Sequence, residues 1–96
     1  MATQSFARSA VAAFFEEGAR PLREGWVQVA KLVIRKLDRV DYTAKLADLA
    51  SPLGDRLEAL KGGRVGFYSI RINDHYRVVF RWTESGPADV DIVDYH

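Results

Sequence analysis

Phe67-Tyr68-Ser69-Ile70-Arg71-Ile72-Asn73-Asp74-His75-Tyr76-Arg77-Val78-Val79-Phe80-Arg81-Trp82 is the stretch on which the fold turns. Side chains on a strand alternate between the two sheet faces, so a period of two in hydrophobicity marks a half-buried strand. Here Tyr68, Ile70 and Ile72 alternate with Phe67, Ser69 and Arg71, and Tyr76, Val78, Phe80 and Trp82 alternate with Arg77, Val79 and Arg81. Asn73-Asp74 marks the turn between them. A two-residue loop would set Ile72 against His75 and Ile70 against Arg77, mixing the faces. A three-residue loop, Asn73-Asp74-His75, sets Ile72 against Tyr76 and Arg71 against Arg77. One face is then wholly apolar and the other carries Arg71, Arg77 and Arg81. Burial of one face selects the second register.

Glu84-Ser85-Gly86-Pro87 is the next turn signal, and a further strand follows. In it Val90 and Ile92 alternate with Asp89, Asp91, Val93 and Tyr95. With Val90 and Ile92 in the core, Tyr95 falls on the arginine face. Asp91 is expected to neutralise Arg81, leaving Arg77 nearer the open end. Upstream the period changes. Ser5-Phe6 reads as a short lead-in strand, and a helix is expected over about residues 8–17, with Gly18 as its stop. A second helix, about residues 24–40, carries Trp26, Val29, Ala30, Val33, Leu37 and Val40 as its buried stripe. Lys31, Arg35, Lys36 and Arg39 decorate its other faces, as solvated charges or a partner-facing surface. A shorter helix, about residues 42–49, ends before the turn signal Ser51-Pro52-Leu53-Gly54. The expected architecture is α+β, with N-terminal helices on one face of a small antiparallel sheet and the second face open and basic.

Ninety-six residues suffice for a single domain, residues 1–96. With no cysteine there is no disulfide or thiolate metal site, and His75 and His96 stand in no metal-ligand spacing. No cofactor is implied. The apolar run Ala10-Val11-Ala12-Ala13-Phe14-Phe15 breaks at Glu16-Glu17. It is far too short to span a bilayer and has no cleavage pattern, so a cytoplasmic protein is expected. The net charge is only +1, but it is unevenly spread. Arg56, Lys61, Arg64, Arg71, Arg77 and Arg81 stand against Glu58 and Asp74, so residues 56–82 carry a surplus of four positive charges. Such a concentration suits an anionic partner. The sequence ends on Tyr95-His96, a pair suited to a site: imidazole moves protons near neutral pH, and tyrosine stacks on a base or bonds a phosphate.

Three motifs in order carry a resemblance. They are Leu57-Glu58-Ala59-Leu60-Lys61-Gly62-Gly63-Arg64, the hairpin quoted above, and the terminal Asp94-Tyr95-His96. Together they resemble the HigB-type branch of the RelE/ParE toxin superfamily, closely over about half the chain and in layout over the helical half. The resemblance implies a RelE-like fold and the toxin of a type II toxin–antitoxin pair that cuts messenger RNA on the ribosome. Its implied partners are a helix-turn-helix, HigA-like antitoxin, the ribosome and mRNA, with operator DNA reached only through the antitoxin and no membrane. The implied chemistry needs no metal: the RNA 2′-hydroxyl attacks its adjacent phosphate. That reaction requires a base, an acid and cations for the phosphorane charge.

By the same resemblance Arg77 matches the catalytic arginine, whose planar guanidinium grips two phosphate oxygens. Lys61 matches the active-site lysine, and His96 the terminal histidine that donates or accepts the proton. Tyr95 is expected to stack on a base or hold the phosphate. Arg64, Arg71 and Arg81 are expected RNA contacts, with Asp89 and Asp91 as alternative ion-pair partners of Arg71 and Arg81. His75, at the hairpin tip, is expected to be structural. One departure stands out: Glu58 occupies a position where some members carry a histidine. A carboxylate beside Lys61 is favoured in its charged form and is a poorer base, so Glu58 is either a catalytic group or an orienting partner of Lys61 or Arg77. Two other readings share the fold: a ParE-like gyrase inhibitor, against which Lys61, Arg77 and His96 together argue, and a non-catalytic antitoxin-binding module.

Overall fold

The hairpin register is the one expected from the alternation. In the computed structural model, which describes residues 2–21, 23–50 and 56–94, β2 (Phe67–Arg71) pairs antiparallel with β3 (Tyr76–Thr83), Arg71 facing Arg77 and Ile70 facing Val78. At the tip the Ile72 amide donates to the Tyr76 carbonyl at 2.9 Å. Asn73 Oδ1 accepts from the amides of His75 and Tyr76, both at 2.9 Å, which is how an asparagine side chain substitutes for backbone in a tight turn. A two-residue strand that the alternation does not reveal, Glu58–Ala59, precedes the hairpin as β1 and pairs with Ser69 and Tyr68. With β4 (Gly86–Asp94) the sheet runs in the order β1-β2-β3-β4.

The β3–β4 turn is tighter than its four turn-forming residues suggest. Thr83 already faces Gly86 and Trp82 faces Pro87, so only Glu84 and Ser85 lie between. Farther along, Arg81 faces Ala88 but Val79 faces Asp91. Asp89 and Val90 therefore oppose Phe80 alone, a β-bulge. Asp89 takes a left-handed φ of 52°, and its amide is held by Ser5 Oγ at 2.8 Å. Of the two aspartates expected as partners of Arg81, one pairs with it and the other does not. Arg81 meets Asp89, Nε to Oδ2 at 3.0 Å, whereas Asp91 is taken by Arg8 at 2.8 Å.

Residues 4–7 lie along the outer edge of β4, with a parallel bridge from Phe6 to Val90 and amide bonds from Gln4 to the Pro87 carbonyl and from Ala7 to that of Val90. This occupies backbone groups of a strand edge that would otherwise invite foreign pairing. Arg8 fastens the junction, donating to Asp91, Glu24 and the Ile92 carbonyl. Helix α1 (Ser9–Glu17) follows and stops at Gly18, φ 76°. Its end is closed by Gly18 N–H to the Phe14 carbonyl and Ala19 N–H to the Ala13 carbonyl, the paired bonds of a glycine-terminated helix.

The second helical stretch splits. Gly25–Val29 is a 3₁₀ turn and α2 spans Ala30–Tyr42. A Cβ on Gly25 would stand 2.2 Å from the Tyr76 hydroxyl, so the hairpin's tyrosine packs directly against this turn. The expected third helix is also only a 3₁₀ turn, Leu46–Ala50, anchored by the fully buried Leu49. The turn signal Ser51-Pro52-Leu53-Gly54 lies outside the described residues. Val11, Phe14, Trp26, Val33 and Leu37 from the helical half meet Ile70, Val78, Phe80 and Ile92 from the sheet in one core. Each large side chain so buried contributes about 1.5–3 kcal/mol. The edge-on contact of Phe14 with Trp26, centroids 4.8 Å apart, adds roughly 1 kcal/mol.

Candidate functional site

The second face of the sheet is not open where Arg77 stands. Arg77 is only 5% exposed, and Ser69 and Val79 on the same face are buried as well. The physical reason lies in the path of one side chain. From β3 the arginine crosses diagonally over β2, a reach that long side chains manage between neighbouring strands, and the chain at Arg56 meets it there. Nε donates to Ser69 Oγ at 2.8 Å, and Nη2 donates to the carbonyls of Ser69, at 3.3 Å, and of Arg56. Arg56 adopts a left-handed φ of 46°, uncommon for a residue with a side chain. Nη1 lies 3.7 Å from Glu58 Oε1. Glu58 faces Ser69 across the β1–β2 ladder, so one guanidinium ties three strands together.

These partners have unequal electrical effect. The hydroxyl and the two carbonyls are neutral: they satisfy donors and leave the positive charge in place. Among these described partners Glu58 is an anion, and its side chain is half exposed while Arg77's is 6% exposed. A cation so buried is tolerated only with good hydrogen bonding and an opposite charge close by. Both are present here, and the result is a guanidinium fixed in position with its Nη1 side toward Glu58. Of the expected residues, Glu58 and Arg77 are therefore brought together.

Lys61 is placed differently. The β1 ladder extends by one bond, Leu60 N–H to the Phe67 carbonyl at 2.9 Å. Lys61 follows, exposed, at the start of the 3₁₀ turn Gly62–Arg64, where Gly62 takes a φ of 71°. Phe67 faces Arg81, so the Lys61 backbone lies toward the Arg81 end of the sheet, four residues along β2 from the partner of Arg77. Arg64 closes the same turn. Arg71 pairs with Asp74 rather than with Asp89 or Asp91, Nη2 to Oδ1 at 2.6 Å, and this hydrogen bond and charge hold the Asp74 carboxyl below the usual aspartate range. The pairs of Arg71 and Arg81 are at the surface, where water and salt screen them, and they open readily to another anion. β4 ends at Asp94, opposite Tyr76; Tyr95 and His96 lie outside the described residues.

Sequence reasoning missed Ser69. The signal was present, since a serine sits on the arginine face of an otherwise apolar strand, diagonal to Arg77. The Arg56 carbonyl carried no signal, because a main-chain acceptor has no letter of its own. Elsewhere, a groove of about 480 Å³ at the end of α2 runs between Arg35, Arg39 and Tyr42, the last 80% exposed. It is separate from the Arg77 cluster.

Two helices on one face of a four-stranded antiparallel sheet, with an anchored arginine on a central strand, define a small α+β architecture. A YoeB/ParE toxin from Agrobacterium tumefaciens shares the fold, with a TM-score of 0.52 over 98% of this chain and 94% of its own at 18% identity. The chain belongs to the HigB-like toxin family, RelE-like toxins of type II toxin–antitoxin systems, whose profile matches residues 4–96. It is also similar to Toxin HigB-1 of Vibrio cholerae serotype O1, 38% identical over 56 residues, and to a Haemophilus influenzae protein, 36% identical over 52 residues. Those matches cover 58% and 54% of this chain and 59% and 52% of the relatives, so the shared sequence spans little more than half the length of each.

Proposed function

We propose that this toxin is a ribosome-dependent mRNA endonuclease that needs no metal and inhibits translation in the cytoplasm. Its neutralising partner is a cognate helix-turn-helix antitoxin of HigA type. The reading rests on one observation within a RelE-like toxin family: Arg77 is held rigid by neutral acceptors, Ser69 Oγ and the Ser69 and Arg56 carbonyls, and keeps its charge. A guanidinium fixed before the substrate arrives need not reorganise as negative charge builds on a phosphorane, which is where preorganised cations contribute most. Lys61 adds a point charge, and Arg64, Arg71 and Arg81 hold flanking phosphates.

In the proposed reaction the 2′-oxygen forms a bond to the adjacent phosphorus as its proton passes to a base. The bond to the 5′-oxygen breaks and that oxygen receives a proton. The products are a cyclic phosphate and a free 5′-hydroxyl. His96 exchanges these protons, Tyr95 stacks on a base or holds the phosphate, and Glu58 orients Arg77 until RNA binds. In the bacterial cell, wild type is induced beside Arg77→Ala, Arg77→Lys and a His96 deletion, with 5′-end mapping of messenger RNA and antitoxin binding as the folding control. Expected are new in-frame 5′ ends with wild type only, and cleavage lower by about two to four orders of magnitude without His96. Growth arrest with no new ends would move the assignment to a gyrase-type target. Neither arrest nor cleavage would leave a non-catalytic antitoxin-binding module.

A further inference from the structure

Glu58 and Arg77 are in contact, but the contact is of an unusual kind for a buried arginine. At 3.7 Å the two atoms are within ion-pair range and beyond hydrogen-bond range. The other Arg77 contacts are hydrogen bonds, two to the buried Ser69 and one to the part-buried Arg56 carbonyl. Glu58 instead stands on a two-residue strand, with its side chain 49% exposed. Water competes for such a carboxylate, and its attraction to the cation is correspondingly weak.

From this asymmetry we infer that Glu58 is a displaceable counter-anion. It occupies the approach to Arg77 Nη1 that a substrate phosphodiester oxygen takes, and it swings into solvent when RNA arrives. The inference rests on the proposed reading of Arg77 as the phosphate-binding cation, and goes beyond an orienting role for Glu58. The exchange swaps one anion for another, so the buried guanidinium is never left without a negative neighbour. A phosphodiester oxygen can also approach Nη1 to within hydrogen-bond range, where Glu58 stays at 3.7 Å. The arrangement makes the empty site tolerable and keeps stray anions out. Its cost is affinity, because each RNA must displace the resident carboxylate.

The test compares wild type with Glu58→Gln, Glu58→Asp and Glu84→Gln, the last removing the same charge from the β3–β4 turn. Binding of inorganic sulfate and of a 2′-O-methyl oligoribonucleotide is read by titration of the Arg77 Nε–Hε resonance. Glu58→Gln is expected to bind both probes up to about fivefold tighter, the ratio that loss of a weak ion pair allows. Glu58→Asp keeps the wild-type affinity or lies between, and Glu84→Gln stays within about twofold of wild type. The gain disappears when Arg77→Ala is added. On programmed ribosomes Glu58→Gln lowers KM. Unchanged or weaker probe binding by a folded Glu58→Gln protein overturns the inference. So does a kcat loss of about a hundredfold at constant KM, which assigns Glu58 to proton transfer. The nuclease reading fails separately, if Arg77→Ala still arrests growth or wild type yields no new RNA ends.

Discussion

Replacing Ser69 with alanine removes a single oxygen, and the structure sets the price of doing so. Ser69 is fully buried, and its Oγ accepts from Arg77 Nε at 2.8 Å. Alanine fits the same space, so almost no cavity forms. What changes is that a charged N–H, in a side chain 6% exposed, loses its acceptor. Hydrogen bonds to charged groups are worth about 1.5–3 kcal/mol. In a domain of this size, at roughly 4–8 °C per kcal/mol, the melting midpoint should fall by about 6–24 °C. Thermal and urea unfolding followed by circular dichroism measure this directly. Ser69→Thr keeps the hydroxyl and should recover much of the loss. Combining Ser69→Ala with Arg77→Met should show a coupling of about 1–2 kcal/mol, since two groups in one hydrogen bond do not act additively. If Ser69→Ala costs less than about 0.5 kcal/mol, the range of an ordinary surface change, then Nε has another acceptor. The anchoring of Arg77 argued above would then be wrong.

Gly25→Ala should destabilise the fold by about 1–3 kcal/mol, because its methyl would fall 2.2 Å from the Tyr76 hydroxyl. Tyr76→Phe removes that atom, so the double variant should unfold at higher denaturant than Gly25→Ala alone; equal midpoints would refute the contact. Asp74 should titrate below an ordinary aspartate in NMR spectra, because Arg71 stabilises its charged form. A depressed pKa in the folded state means the stabilisation is complete above the unfolded value of about 3.9 and is lost as pH falls through the folded value. Arg71→Gln should return the titration to the ordinary range, and a wild-type Asp74 already there would dismiss the pair. Ile70→Asp should yield no soluble folded protein. Its side chain is 0% exposed, and an unpaired carboxylate buried there costs several kcal/mol against a total stability of about 5–15 kcal/mol; a folded variant would reverse the assignment of sheet faces.

The limits of sequence reading appear in the helical half and at the sheet's edges. Trp26 and Val29 share the apolar spacing of α2, yet they lie in a 3₁₀ turn. Over five residues, periods of 3.0 and 3.6 are barely separable by pattern, and packing of Tyr76 against Gly25 accompanies the tighter winding. The two residues of β1 are too few to show any alternation. The bulge at Asp89 and Val90 was equally hidden, since it exists only in the pairing of β3 with β4 and in the Ser5 contact. Of the two aspartates on that face, Arg81 meets Asp89, while Arg8 takes Asp91.

By itself the sequence determined the β2–β3 hairpin, its register, the face it buries and the helices that cover that face. The reason is that burial of one face acts on every second residue at once, and a slip of one position would invert them all. The family motifs were legible for a similar reason, being local strings. Only the tertiary structure decided the state of Arg77. Whether a guanidinium meets solvent or lies held by Ser69, the Arg56 carbonyl and Glu58 depends on where a segment some twenty residues upstream comes to rest. Main-chain carbonyls and the descreening of one charge by another have no pattern along the chain; they arise when distant segments displace water from the same place.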